Sequence, residues 1–228
     1  MSLFAIADNH LSFASNKPMD DFEGWLNYTD RLKENWNKII DDKDYVVIAG
    51  DISWAMNFDE LKADFDYINR LNGKKIILKG NHDYWWNTMS KMNKFIEENN
   101  FNTISILHNN AFDFDDFSVC GSRGWFFDSD EEQNEKVLNR EVMRIKTSIE
   151  SALNCEKIVF LHYPPVYENQ CCEEIVNLLK EKGIKKCYYG HIHGVAAKYA
   201  FDDNYDGIDF KLISADRLNF MPLLIKKF

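Results

Sequence analysis

The sequence predicts an α/β protein, with a mainly parallel sheet built through βαβ crossovers and a second, mixed or antiparallel sheet. Two observations predict the first sheet. Short apolar runs of buried-strand type recur along the chain, and longer stretches of helical pattern separate them. A third observation predicts the second sheet: AAKYAFDDNYDGIDFKLIS holds Asp206-Gly207, a dipeptide suited to a two-residue hairpin turn, between alternating runs.

The elements follow in order. LFAIA (3–7) is the first strand, and its short apolar run leads directly into Asp8. A helical pattern over 20–40 precedes the strand YVVIAG (45–50), and another over 58–72 precedes KIILKG (75–80). After a helix over 88–98, the segment ISILHNNAFDFDDFSVCG (104–121) reads as paired strands. A helix over 131–153, the strand KIVFLH (157–162), a helix over 172–182 and the strand KCYYGH (186–191) complete the alternation. The acidic-aromatic FDFDDF is a half-exposed strand, because the spacing and glycine of a calcium loop are missing.

Composition bounds what this fold does. The 228 residues are 45% hydrophobic and 14% aromatic, enough for one sizeable core, and no linker or repeat divides them. A single domain over 1–228 is expected. The formal net charge of −10 argues against a broad phosphate-tracking surface, so nucleic acid is an unexpected partner. Any phosphate chemistry then needs a local positive source. The five cysteines, Cys120, Cys155, Cys171, Cys172 and Cys187, form an odd set without a CxxC and read as reduced, mostly packed thiols. Cys171 and Cys172 lie at a helix start, where packing and capping are their expected use. The opening MSLFAIADNH lacks a basic leader region, and no apolar run is long enough to span a bilayer. The expected setting is cytoplasmic, with no membrane partner.

The ends of the five strands carry the chemistry. They read Asp8-Asn9-His10, Gly50-Asp51, Gly80-Asn81-His82-Asp83, His162 and Gly190-His191-Ile192-His193. In open α/β sheets the carboxyl ends of parallel strands share one edge, where ligands bind. Five of the six histidines sit in these motifs, which capping does not require; His108 lies outside them and reads as a turn residue. In extended chain Asp8 would point with His10, and His191 with His193, each pair offering two donors to one ion. Asn81 and His82 would diverge, leaving His82 free of metal. Nitrogen and oxygen donors without thiolate suit Mn, Fe, Zn, Co or Ni. Seven candidate ligands exceed what one ion needs, so two divalent ions sharing a carboxylate follow, with Asp51 the best shared ligand.

The ordered set DNH, GD, GNHD, H and GHIH, spanning residues 8 to 193, resembles the calcineurin-like metallophosphoesterase superfamily. The resemblance implies a four-layer α/β/β/α sandwich of two mixed sheets flanked by helices, with a dinuclear metal centre at the strand ends. It implies that Asp8, His10, Asp51 and His193 hold one metal, and Asp51, Asn81, His162 and His191 the other. It gives His82 the role of assisting the leaving group. The implied reaction is phosphate-ester hydrolysis, in which two metals activate a bridging water and offset charge on the phosphoryl oxygens, and a histidine protonates the leaving oxygen. A small phosphorylated substrate, phosphodiester or nucleotide-like, is favoured because only a compact chain shapes the pocket. A nucleic-acid processing phosphodiesterase and a non-catalytic metal-binding scaffold are the alternatives. Asp83 either orients His82 or pairs with a turn amide. In GSRG, Arg123 either aims its guanidinium at a substrate phosphate or pairs with an acid such as Asp128 or Asp130. The aromatic residues after the motifs, including Trp54, Tyr84, Trp85, Trp86 and Tyr163, are expected mainly to pack the loops over the sheet edge.

Overall fold

The computed structural model describes residues 1–125 and 135–228. From the N terminus the elements run β1 (Ser2–Ile6), α1 (Tyr28–Ile39), β2 (Tyr45–Ala49), α2 (Phe58–Arg70), β3 (Lys74–Leu78), α3 (Met89–Glu98) and β4 (Ile104–Ile106). There follow β5 (Phe112–Asp113), β6 (Phe117–Ser122), α4 (Glu135–Ser151), β7 (Glu156–Leu161), β8 (Val166–Tyr167), β9 (Gln170–Cys171) and α5 (Glu173–Glu181). The chain finishes with β10 (Lys186–Tyr189), a 3₁₀ helix (Gly194–Tyr199), β11 (Asn204–Tyr205), β12 (Ile208–Leu212) and β13 (Leu223–Lys227).

Two sheets face each other. One has the order β13-β1-β2-β3-β4, parallel except for β13; the other has the order β11-β12-β10-β7-β6-β5, parallel except at its two edges. Successive strand residues point to opposite faces, and the burial follows that period. Leu3, Ala5, Val47, Ala49, Ile76 and Leu78 of the first sheet meet Phe117, Val119, Ile158 and Phe160 of the second in a core between the sheets. Their neighbours Phe4, Ile6, Val46, Ile48 and Ile77 face outward into a layer with α1, α2 and α3. Cys120, Val159, Leu161, Cys187 and Tyr189 face the opposite outer layer, with α4 and α5. The molecule is therefore an α/β/β/α sandwich.

The helices bury stripes at helical spacing, such as Tyr28, Leu32 and Trp36 in α1 and Leu61, Phe65 and Ile68 in α2. Asn57 and Glu60 cap α2 reciprocally: Asn57 Oδ1 accepts from Glu60 N at 3.0 Å, and Glu60 Oε2 accepts from Met56 N at 2.9 Å. Past the end of α2 the buried Lys75 ammonium donates to the carbonyls of Leu71 and Gly73 at 2.6 and 2.7 Å.

The structure alters several sequence expectations. The five motif-bearing strands do not share one sheet: β1, β2 and β3 lie in the first, β7 and β10 in the second. Segment 104–121 is divided, with β4 running parallel to β3 and only β5 and β6 pairing antiparallel. The helix expected over 20–40 starts at Tyr28, because Gly24 (φ 85°) and Asn27 (φ 52°) turn the preceding chain left-handed. The helix over 131–153 is described from Glu135, and its first four residues lie outside the described residues. Asp206 (φ 53°) and Gly207 (φ 83°) do turn the β11–β12 hairpin, with the two positive φ values of a type I′ turn. No helix among the described residues is long and apolar enough to cross a membrane.

Candidate metal centre

The motif residues converge where the two sheets meet at their strand ends. Ala7 N donates to Ile213 O at 2.8 Å, Asp8 N to Gly50 O at 3.0 Å, and His10 N to Asp51 O at 2.9 Å. From the other sheet, Gly190 N donates to His162 O at 3.0 Å and His162 N to Arg123 O at 3.1 Å. Each strand end thus fixes the next.

Glycine is required at this junction for closeness. A methyl on Gly80 would lie 2.1 Å from Asp51 Oδ1, one on Gly50 2.6 Å from His162 Nδ1, and one on Gly190 2.7 Å from Asp8 Oδ2. The side chains themselves are presented on left-handed turns: Asp8 (φ 57°), His10 (φ 44°), Asp51 (φ 48°) and His191 (φ 71°). Non-glycine residues hold such φ values only where their surroundings enforce them, and these positions cluster at functional sites.

Two groups of ligand atoms form, each with its atoms within 4.8 Å of one another: Asp8, His10 and Asp51, and Asp51, His162 and His191. Asp51 belongs to both. Its Oδ2 lies 3.7 Å from His10 Nε2 and its Oδ1 3.4 Å from His162 Nε2. Asn81 Oδ1 lies 2.6 Å from His162 Nε2 and 3.0 Å from His191 Nδ1, so Asn81 stands with the second group. The His193 ring lies 5.4 Å from that of His10, on the first side. His191 sits on a left-handed turn (φ 71°), so the extended-chain spacing does not fix how its ring stands relative to that of His193.

The site is buried and short of positive charge. Asp8, His10, Asp51 and His162 are almost wholly enclosed. Burial, and then the Asp51 charge, pushes the Asp8 carboxyl well above its ordinary value. Burial also pushes Asp51 up to about 6 and holds the His162 imidazolium down to about 3. His10 is likewise kept neutral, and neither of its ring nitrogens has a hydrogen-bond partner among the described residues. Neutral imidazoles with open lone pairs beside carboxylates that burial disfavours form a donor set that fits divalent cations. His162 Nδ1 lies 3.1 Å from Ala49 O, the contact that would fix its tautomer with Nε2 facing the cluster.

His82 stands at the rim. Its side chain is 31% exposed, its Nε2 lies 3.9 Å from Asp51 Oδ2, and its backbone N donates to Asp51 Oδ1 at 2.8 Å. His82 Nδ1 faces the Tyr84 hydroxyl at 3.1 Å. Asp83 takes the structural one of its two readings. Its oxygens accept from Gly80 N at 2.7 Å, Ile52 N at 2.9 Å, Ser53 N at 3.3 Å and Trp85 Nε1 at 3.2 Å, so it ties the loops after β2 and β3 together. These contacts are those of the turn-amide reading. Arg123 lies with its guanidinium 5.5 Å from the Tyr163 ring, and its charge lowers the pKa of Asp51 and of His162. Asp128 and Asp130, its alternative partners, lie outside the described residues. His108 stays apart, next to Trp86 at 6.2 Å.

Aromatic packing around the loops is as expected for Trp85, which is buried, but Trp54 does more. Its ring stacks on His10 at 4.8 Å and approaches His82 at 4.4 Å. Beside it a cavity of about 740 Å³ opens, lined by His82, His193, Trp54, Met19, Phe22 and Val195 among others. Phe22 and Val195 carry no motif, and only folding brings them to the centre.

An α/β/β/α sandwich with a cluster of Asp and His side chains able to bind metal is the class that fold and site define. The family model for calcineurin-like phosphoesterases matches residues 1–195, and the chain belongs to that family. A stretch of 86 residues is 33% identical to "Uncharacterized protein MJ1445" of Methanocaldococcus jannaschii, covering 36% of this chain and 46% of that relative. The chain thus matches less than half the length of this curated relative. Among solved structures, phosphopantetheinyl hydrolase of Mycobacterium tuberculosis is similar over 100% of this chain and 96% of its own, with a TM-score of 0.58 and 14% identity. The protein AQ665 of Aquifex aeolicus, whose function is given as unknown, is similar over 98% and 95%, with a TM-score of 0.51 and 15% identity. Likeness at these identities is likeness of fold.

Proposed function

We propose that the chain hydrolyses a small phosphate ester at a two-metal centre. The observation that carries the reading is the pair of ligand groups sharing Asp51, with His82 at their rim. Asp8, His10, Asp51 and His193 would hold one ion, and Asp51, Asn81, His162 and His191 the other. Two divalent ions there would activate a water and offset negative charge on the phosphoryl oxygens.

The chain's own groups complete the reaction. Asp51, enclosed and common to both groups, sets the spacing. His82, partly exposed and close to the cluster, donates a proton to the leaving oxygen. Arg123 binds the non-reacting phosphoryl oxygens through its planar fork, which suits a small phosphodiester or nucleotide-like substrate. Asp83 holds the loops that carry Asp51 and Asn81 in register.

Chelation tests the reading. Metal-free protein should lose hydrolysis of p-nitrophenyl phosphate and of bis-p-nitrophenyl phosphate, and Mn, Co, Ni or Zn should restore it better than Mg. Full activity in protein shown to be metal-free would refute it.

A further inference from the structure

The cavity beside His82 has a chemical character that the metal centre lacks. We infer that it receives the leaving alcohol of the substrate, and that this alcohol is uncharged and apolar, an alkyl-like group in a small phosphodiester. The inference rests on the hydrolytic reading and adds the substrate class to it.

Position comes first. His82 and His193, whose rings lie 5.7 and 5.4 Å from that of His10, both line the cavity, so a phosphorus held at the metal centre has its His82-side oxygen directed towards it. In the hydrolysis a water oxygen forms the new P–O bond, the P–O bond to the alcohol breaks, and a proton passes from His82 to the departing oxygen. The departing group therefore lies on the cavity side. At about 740 Å³ the cavity has the size of an ordinary small-molecule site.

Chemistry comes next. Met19, Phe22, Trp54 and Val195 supply an apolar wall, and Phe22 (59%) and Val195 (74%) present large exposed apolar faces. The ionic groups on the lining are Glu23, Asp216 and Arg31. Arg31 is engaged locally: it donates to Gly24 O at 2.7 Å and lies 4.6 Å over the Phe220 ring. Asp216 accepts from Gly194 N at 2.6 Å and, with Glu23, contributes negative charge. A second phosphate or a nucleotide's diphosphate entering here would meet two carboxylates and a cation already held by a backbone carbonyl.

The indole faces near the cavity are already occupied. A base binds best when it can lie on an aromatic face. Trp54 is stacked on His10 and has the Lys17 ammonium 4.5 Å over its ring. Trp25 is buried and makes edge contacts with Tyr28 and Phe220. The accessible apolar surface is then the Phe22 ring and the branched Val195 in place of an open indole face, and comparing an alkyl probe with a nucleotide probe decides between the two kinds of group.

The test uses the full chain loaded with metal. The binding probes are n-alkylphosphonates from methyl to hexyl, which are not hydrolysed, measured by calorimetry. Hydrolysis of the matching methyl n-alkyl phosphodiesters is measured separately. Binding should tighten by up to about fourfold per methylene until the cavity is filled, the factor expected for full burial of a CH₂. Phe22→Ser and Val195→Ser, both at exposed positions, should each flatten that chain-length dependence. Leu153→Ser, at an exposed position outside the lining of this cavity, should leave it steep. A flat response in the unmodified protein, or a steep one in both cavity variants, overturns the inference. So does tighter binding of adenosine monophosphate than of hexylphosphonate. Steep binding without hydrolysis of any of these diesters overturns the hydrolytic reading beneath it, whereas hydrolysis with flat binding overturns the inference alone.

Discussion

Adding one methyl group at Gly80 should disable the centre without unfolding the protein. The methyl of Gly80→Ala would lie 2.1 Å from Asp51 Oδ1 and 2.2 Å from Asp51 N, where separations below 3.0 Å are essentially never found. Both contacts are with one residue, and one is with its backbone, so a side-chain rotation cannot relieve them. The ends of β2 and β3 must therefore separate by about 1 Å, at the cost of roughly 1–3 kcal/mol that overpacking usually carries. At this chain length that lowers the melting temperature by about 2–4 °C per kcal/mol, and most of the protein stays folded at 25 °C. The functional cost is larger. Asp51 and Asn81 move relative to each other by several times the ~0.2 Å tolerance of a metal–ligand distance. Turnover should fall by about 10²-fold or more, the scale of a 1 Å misplacement. Elemental analysis of the folded, purified variant should show less than two metals per chain, with thermal unfolding run alongside. A variant that keeps two metals and at least a third of normal turnover would refute this account of why Gly80 is glycine.

His82→Ala should retain its metals but lose roughly 10²- to 10⁴-fold in kcat on an alkyl ester, and much less on a p-nitrophenyl ester whose anion leaves unaided. Equal losses on both substrates would remove His82 as the proton donor. Arg123→Lys keeps the charge but not the fork, and should raise KM or lower kcat several-fold with metal content and melting temperature unchanged; unchanged kinetics would leave Arg123 a surface role. The buried Lys75 ammonium is held down to about 8 by burial. The unfolded chain, with its ordinary lysine, binds the proton more tightly, so stability should rise with pH as the native proton is lost. Between pH 7 and 9.5 the rise should be about 2 kcal/mol relative to Lys75→Met, measured by urea unfolding, and parallel pH profiles of the two proteins would show that this lysine titrates normally.

Most strands were legible because their apolar runs end at polar motifs, and β1, β2, β3, β7 and β10 fall within one or two residues of the runs that announce them. Their division between two sheets was not legible. A strand buried on both faces reads as continuously apolar, so Leu3 and Phe4 look alike although one faces the other sheet and one faces the helices. β13 escaped notice because LLIKK ends in charge and pairs only at an edge. In the centre, residue types and order were readable, but their presentation was not. Asp8, His10 and His191 leave the extended conformation that the i, i+2 spacing assumes. Asp83 was ambiguous because a carboxylate beside a histidine looks the same whether it holds the ring or, as found, three backbone amides and an indole. Phe22 and Val195 stand 173 positions apart and carry no signature, so the cavity they line exists only in three dimensions.

The division of the centre between two sheets bears on how the protein is made. Asp8, His10, Asp51 and Asn81 follow strands of the first sheet, while His162, His191 and His193 follow strands of the second. In chain order Asn81 completes the first group well before His162 begins the second. Until His162 is made, the two carboxylates have only His10, Asn81 and His82 among the motif side chains as companions. Under the two-metal reading the full ligand set needs the chain through His193, and the ions would rivet strands made early to strands made late.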